Sequence, residues 1–149
     1  MGYRFRFETL LNYRRDLEEQ EQMRLAHELE ALEGHRDRLD SLKTQRKRSI
    51  EEFEERKKEK IAAPMFSFYM EAIARKEREI VFQTASIAAQ EQIVAQVRNE
   101  LAERMKDRKV MEKAREKDFQ KYLYEILKKE EKESDEQAVL RHGRELLLG

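Results

Sequence analysis

Residues 58–73 read KEKIAAPMFSFYMEAI, and this stretch decides the fold. Charged residues make up 43% of the 149-residue chain, yet none occurs from Ile61 to Met70. That gap contains the only proline, Pro64, and three aromatic residues, Phe66, Phe68 and Tyr69. Proline disfavours helix at the residue before it, here Ala63, and cannot donate a backbone hydrogen bond. The sequences on either side are helical in pattern, so Pro64 marks the point where one helix ends and the chain reverses.

On the N-terminal side, Phe7, Leu10, Leu11, Leu17, Leu25, Leu29, Leu32, Leu39, Leu42, Ile50 and Phe53 recur at intervals of three, four and seven. Such spacing puts one apolar stripe on a helix, and the single glycine, Gly34, costs it only about 1 kcal/mol relative to alanine. On the C-terminal side, Ile73, Ile80, Ile87, Val94 and Leu101 stand seven apart. Their intermediate seam mixes Tyr69, Val97, Met105, Met111, Phe119 and Ile126 with Gln and Thr. A sustained repeat of seven keeps a stripe turned toward a partner helix. Folding back at Pro64 supplies that partner from the same chain.

The predicted fold is therefore all-α: a long antiparallel two-helix coiled-coil hairpin with unequal arms, forming a single coiled-coil domain over 1–149. Helix 1 is expected over about 5–58, a turn over about 59–66, helix 2 over about 67–140 and a frayed tail over 141–149. One alignment sets Phe53 against Ile73, Leu39 against Ile87, Leu32 against Val94, Leu25 against Leu101 and Phe7 against Phe119, with Arg46 against Ile80 as the mismatch. The same alignment turns the basic stretch RMKDRKVMEKAREK, 104–117, toward Asp16, Glu18, Glu19 and Glu21. Opposite charges of this kind discriminate between registers more than they add stability.

Composition narrows function by exclusion. Lys plus Arg and Asp plus Glu each total 32, so no polyanion is favoured and nucleic acid is not an expected partner. The chain has no cysteine, hence no disulfide framework or thiolate metal site. The N-terminus, with arginines and no long apolar run, predicts neither a secretory signal nor membrane insertion. His27, His35 and His142 are too few for an enzyme site, and HELEA at 27–31 places Ala31 where a zinc-protease helix needs its second histidine. All three read as solvent-facing helical histidines. The carboxylates lie among lysines and arginines on exposed faces, with no apolar cleft to raise a pKa. No catalytic residue, cofactor or metal is expected.

Function should then lie on the two ends. The tip carries Met65, Phe66, Phe68, Tyr69 and Met70, either a lid folded over Phe53 or a patch for a partner. The open end carries Tyr3, Arg4, Phe5, Arg6 and Phe7, with Phe5 and Phe7 expected to pack on Phe119 and Tyr122.

The opening FRFETLLNYRRDLEEQEQ, the segment SFYMEAIARKEREI after an uncharged turn, and the late EKDFQKYLYEILKKEEKESDEQA together resemble the flagellar export protein FliJ family over nearly the whole chain. The resemblance implies a cytoplasmic antiparallel coiled coil, peripherally associated with the inner face of the cell membrane at the flagellar base. It implies a stalk that engages a hexameric flagellar export ATPase, a membrane export gate protein and export chaperones. Carried over by position, the ATPase contact would use Arg4, Phe5, Arg6, Phe7, Lys106, Phe119 and Tyr122, and the gate contact Phe68, Tyr69 and Ile73. The alternative is a generic coiled-coil scaffold or tether that pairs with another coiled coil.

Overall fold

The computed structural model describes residues 2–148. It is an all-α helical hairpin, 93% helical, in which two long helices pack against each other. They are α1, Glu8–Lys57, and α2, Ala63–Leu148. Each helix end reflects local chemistry. Glu8 lies in the first turn of α1 and Arg56 and Lys57 in its last, both favourable to the helix dipole. The last turn of α1 tightens, with Lys58 N donating to Glu55 O at 3.3 Å and Glu59 N to Arg56 O at 3.2 Å. Such short-range bonds satisfy carbonyls that the helix leaves without partners.

α2 starts earlier than the sequence reading placed it. Ala63 opens the helix and Pro64 lies within its first turn, where no backbone donor is needed and the fixed φ suits the helix. Met65 N and Phe66 N both donate to Ala62 O, at 3.0 and 3.1 Å. The proline thus starts α2 instead of filling a longer turn. At the other end the helix runs on through Leu148 where a frayed tail was expected, since strong helix formers continue and Gly143 is the only weak residue there. Gly149 lies outside the described residues. α1, in turn, begins at Glu8 because Gly2–Phe5 are not helical.

Two compact units can be distinguished. One contains the residues up to Glu18 and those from Glu103 onward; the other is Glu19–Ala102. In the first, Phe5, Leu11 and Met111 form a buried cluster with Tyr3 packed against it. Arg115 reaches Glu8 at 3.0 Å and Arg15 reaches Glu112 at 3.4 Å. Arg108 donates both to Glu18, the least exposed carboxylate among the ion pairs, and to Glu112 at 2.7 Å.

In the second unit Leu32, Leu42, Phe53, Tyr69, Val94 and Val97 are buried, together with Gln83 and Gln90. Arg24 pairs with Glu100 at 2.5 Å, Arg36 with Glu91 at 3.3 Å and Arg46 with Glu77 at 3.0 Å. These exposed pairs are worth roughly 0–1 kcal/mol each, so they tune alignment while the buried stripe holds the helices. Arg46, predicted to face Ile80, swings out to an acid.

Register differs from expectation by one helical turn, and does so independently in both units. Phe53 packs on Tyr69, ring centroids 5.4 Å apart and tilted by 30°, in place of Ile73. In the first unit Leu11 of α1 clusters with Met111, four residues from its expected opposite, and Phe119 meets Tyr3 of the arm at 5.0 Å in place of Phe7. A heptad repeat has two seam positions, three and four residues apart, so an alignment displaced by half a heptad still matches stripe to stripe. Glu18 nonetheless faces the basic stretch of α2, as its charge predicts.

Candidate functional site

At the open end, an extended arm folds back onto α2. Alternating apolar residues in an extended segment point to one side, which carries Tyr3 and Phe5 inward together. Phe5 is buried against Leu11 and Met111. Tyr3 enters an aromatic cluster, 5.0 Å from the Phe119 ring and 5.2 Å from that of Tyr122. Its hydroxyl donates to Asp118 Oδ2 at 2.7 Å and lies 3.4 Å from the Arg115 carbonyl oxygen.

The predicted residues of this end therefore separate. Phe5 is interior, and Phe119 and Tyr122 form the floor of the arm's contact. Arg4, Arg6 and Phe7 face solvent, with the Arg6 guanidinium 5.4 Å from the Phe7 ring centroid. Lys106 is exposed and pairs with Glu103 of its own helix, at 3.4 Å. Sequence reading named Tyr3 but gave it no role; its alternation with Phe5 was the available signal.

Burial pushes the Tyr3 phenol up to about 12, and the hydrogen bond to Asp118 adds to the shift by favouring the protonated form. A raised pKa in the folded state means stabilisation that is complete below pH 10.0 and lost as pH rises through about 12. The phenolate absorbance of the native chain should thus contain a component titrating near 12 that Tyr3→Phe deletes. An unchanged titration curve in that variant would contradict the clasp.

Past Tyr122, α2 runs on without α1. Leu123, Tyr124 and Leu127 are exposed there, as are Val139, Leu140 and Leu146 to Leu148. Among the described residues, no side chain beyond Tyr122 makes a hydrogen bond, ion pair or ring contact.

At the tip, the aromatic residues divide between lid and surface. Phe53 is the keystone, with Phe66 at 5.2 Å, Tyr69 at 5.4 Å and the Lys57 ammonium over its ring at 4.1 Å. Tyr69 is only 7% exposed, and its hydroxyl donates to Glu52 Oε1 at 3.0 Å. Burial, then that bond, raises its pKa above the ordinary 10.0. Ile73 is half-buried along the seam. Phe68, 63% exposed, touches Tyr69 edge-on at 5.8 Å and turns outward with Met65 and Met70. Of the three tip residues named from sequence, only Phe68 offers a partner most of its surface.

Two features lay outside the sequence reading. Val81 and Phe82 are exposed in mid-α2, off the heptad stripe that drew attention to their neighbours. His35, expected to face solvent, is half-buried against Gln83, whose Nε2 lies 3.1 Å from His35 Nδ1. Among the described residues, no group of three or more His, Cys, Asp or Glu could hold a metal ion, and no helix is long and apolar enough to cross a membrane.

Against known proteins, the family described as flagellar FliJ protein matches residues 3–147. No curated protein and no solved structure matches the chain.

Proposed function

The chain belongs to the flagellar FliJ protein family, a component of flagellar protein export, and we propose that it acts there as a stalk between a hexameric export ATPase and a membrane export gate protein. The proposal includes promotion of ATPase hexamer assembly and activity, contact with export chaperones, and peripheral residence at the inner face of the membrane. It assigns the protein no chemistry of its own.

The observation that carries this reading is the open end. Leu123, Tyr124 and Leu127 are exposed on α2 just past Tyr122, where the arm that carries the solvent-facing Arg4, Arg6 and Phe7 docks. Large apolar side chains left exposed within one helical turn of each other on a charged molecule mark a place where another protein sits. A single hairpin lacks sixfold symmetry, so within a ring it touches subunits unequally. Unequal contact gives a ligand its leverage over ring states.

Adding the purified chain to its cognate export ATPase should raise hydrolysis and favour hexamers. Unchanged hydrolysis together with an unchanged oligomer distribution would refute the stalk.

For the gate, the proposed contact centres on Phe68, with Tyr69 and Ile73 holding it in position. Phe68→Ala should weaken gate binding by about tenfold, the effect of losing one anchoring aromatic, with helicity intact. Tyr69→Phe should bind as the native chain does, because it keeps the ring and loses only the bond to Glu52. A pull-down or calorimetric titration with the gate's cytoplasmic domain distinguishes the two. Equal losses would show that Tyr69 itself is read.

The scaffold reading finds its support in Val81 and Phe82, a mid-helix apolar surface suited to a second coiled coil. Self-association at low micromolar concentration would favour it over an intramolecular stalk.

A further inference from the structure

We infer that Gln83 and Gln90 clamp the register of the hairpin, excluding a second alignment of α1 and α2 that lies one helical turn away. Both amides are buried, and they stand one heptad apart on α2. Each reaches α1 in the same way. Gln83 Nε2 donates to the His35 carbonyl oxygen at 3.0 Å, with His35 Nδ1 at 3.1 Å. Gln90 Nε2 donates to the Glu28 carbonyl oxygen at 3.0 Å and to Glu28 Oε2 at 2.6 Å. Glu28 and His35 are themselves one heptad apart, so the same device is built twice at one offset.

The acceptors make the device specific to register. A helical carbonyl already accepts a bond from the amide four residues on, and its second lone pair is free for a side chain across the seam. Such carbonyls recur at every turn, so the discrimination comes from the side-chain acceptors beside them, Glu28 Oε2 and His35 Nδ1. The alignment they oppose is written in the apolar stripe, which can also set Phe53 on Ile73, Leu39 on Ile87, Leu32 on Val94 and Leu25 on Leu101. Apart from Arg46 against Ile80, that arrangement faces apolar groups with apolar groups, whereas the observed one buries two amides. Only the hydrogen bonds to Glu28 and His35 offset that burial. After a slip of about 6 Å, one turn of rise, the amides would face Leu39 and Leu32, which offer backbone carbonyls but no side-chain acceptor.

The tip does not prevent such a slip. Pro64 now lies in the first turn of α2, and a displaced alignment would move it into the connecting turn, where proline is equally at home. Two alignments are thus sterically open, and a pair of side chains selects between them. Buried polar groups with one geometric solution serve this purpose in other coiled coils.

The chain lacks cysteine, so an introduced pair is the only one that can close. The offset that sets Phe53 on Tyr69 brings Leu25 to Val97, while the slipped alignment brings Leu25 to Leu101. With native glutamines, Leu25→Cys with Val97→Cys should oxidise at least about tenfold faster than Leu25→Cys with Leu101→Cys, because a disulfide tolerates little separation between Cβ atoms. Gln83→Met with Gln90→Met keeps side-chain length and removes the donors. In that background the second pair should close about as fast as the first. Circular dichroism on each variant establishes that the compared chains are equally helical. The clamp is overturned if the second pair closes as readily with native glutamines, or stays open in the methionine background.

Discussion

Phe53→Ala should destabilise the unit that contains it by about 3–5 kcal/mol, in the range of large aromatic truncations in cores. The ring is 3% exposed and is the shared neighbour of Phe66, Tyr69 and the Lys57 ammonium. A two-helix seam has one layer of side chains, so no second layer moves in to refill the space. Against a typical total of about 5–15 kcal/mol, the loss is large. Phe68→Ala, one residue from Tyr69 but 63% exposed, should cost about 1 kcal/mol or less. Denaturant melts followed by circular dichroism compare the two directly. Equal shifts would contradict the division of the tip into lid and surface.

The second large effect is functional. Leu123→Asp with Leu127→Asp should abolish stimulation of the export ATPase while leaving the hairpin folded. Both leucines are exposed, at 43% and 64%, so the substitutions remove only part of a side chain's packing, and aspartate costs a helix only about 0.7 kcal/mol per residue. In a partner's apolar groove the same change buries two carboxylates without counter-ions, and the loss of affinity should exceed about a hundredfold. The readout is the ATPase titration, with helicity and melting temperature as controls. A double variant that stimulates normally would place the ring contact elsewhere, with Arg4, Arg6, Phe7 and Lys106 the remaining solvent-facing candidates of that end.

The hairpin was legible because two independent signals agreed. The sevenfold spacing of Ile73, Ile80, Ile87, Val94 and Leu101 called for a partner helix, and Pro64 marked where the chain could supply one. Register was not legible, since Gln83 and Gln90 read as breaks in the apolar seam. Their bonding to α1 carbonyls becomes apparent only once backbone atoms are placed. The start of α2 was misplaced for a related reason: proline ends helices and also begins them, and the flanking sequence does not say which.

The site was legible at the level of ends and not of side chains. Phe68 and Tyr69 are neighbours in sequence, but a helix turns about 100° between them, so one faces Phe53 and the other faces water. Tyr3 escaped because its partners, Phe119, Tyr122 and Asp118, are distant in the chain, and an arm that folds back leaves no local periodicity. The alignment of Glu18 with Arg108 was easier, because charge sign survives an error of one turn.

Residues 58–62 are the sole covalent link between α1 and α2, and Lys58 and Lys60 within them are exposed. A single tryptic nick there would leave every seam contact, ion pair and amide clamp in place. It would, however, turn one molecule into a heterodimer of two peptides, whose persistence depends on dilution. The short link therefore sets the effective concentration at which α1 meets α2, commonly in the millimolar range for tethers of this length.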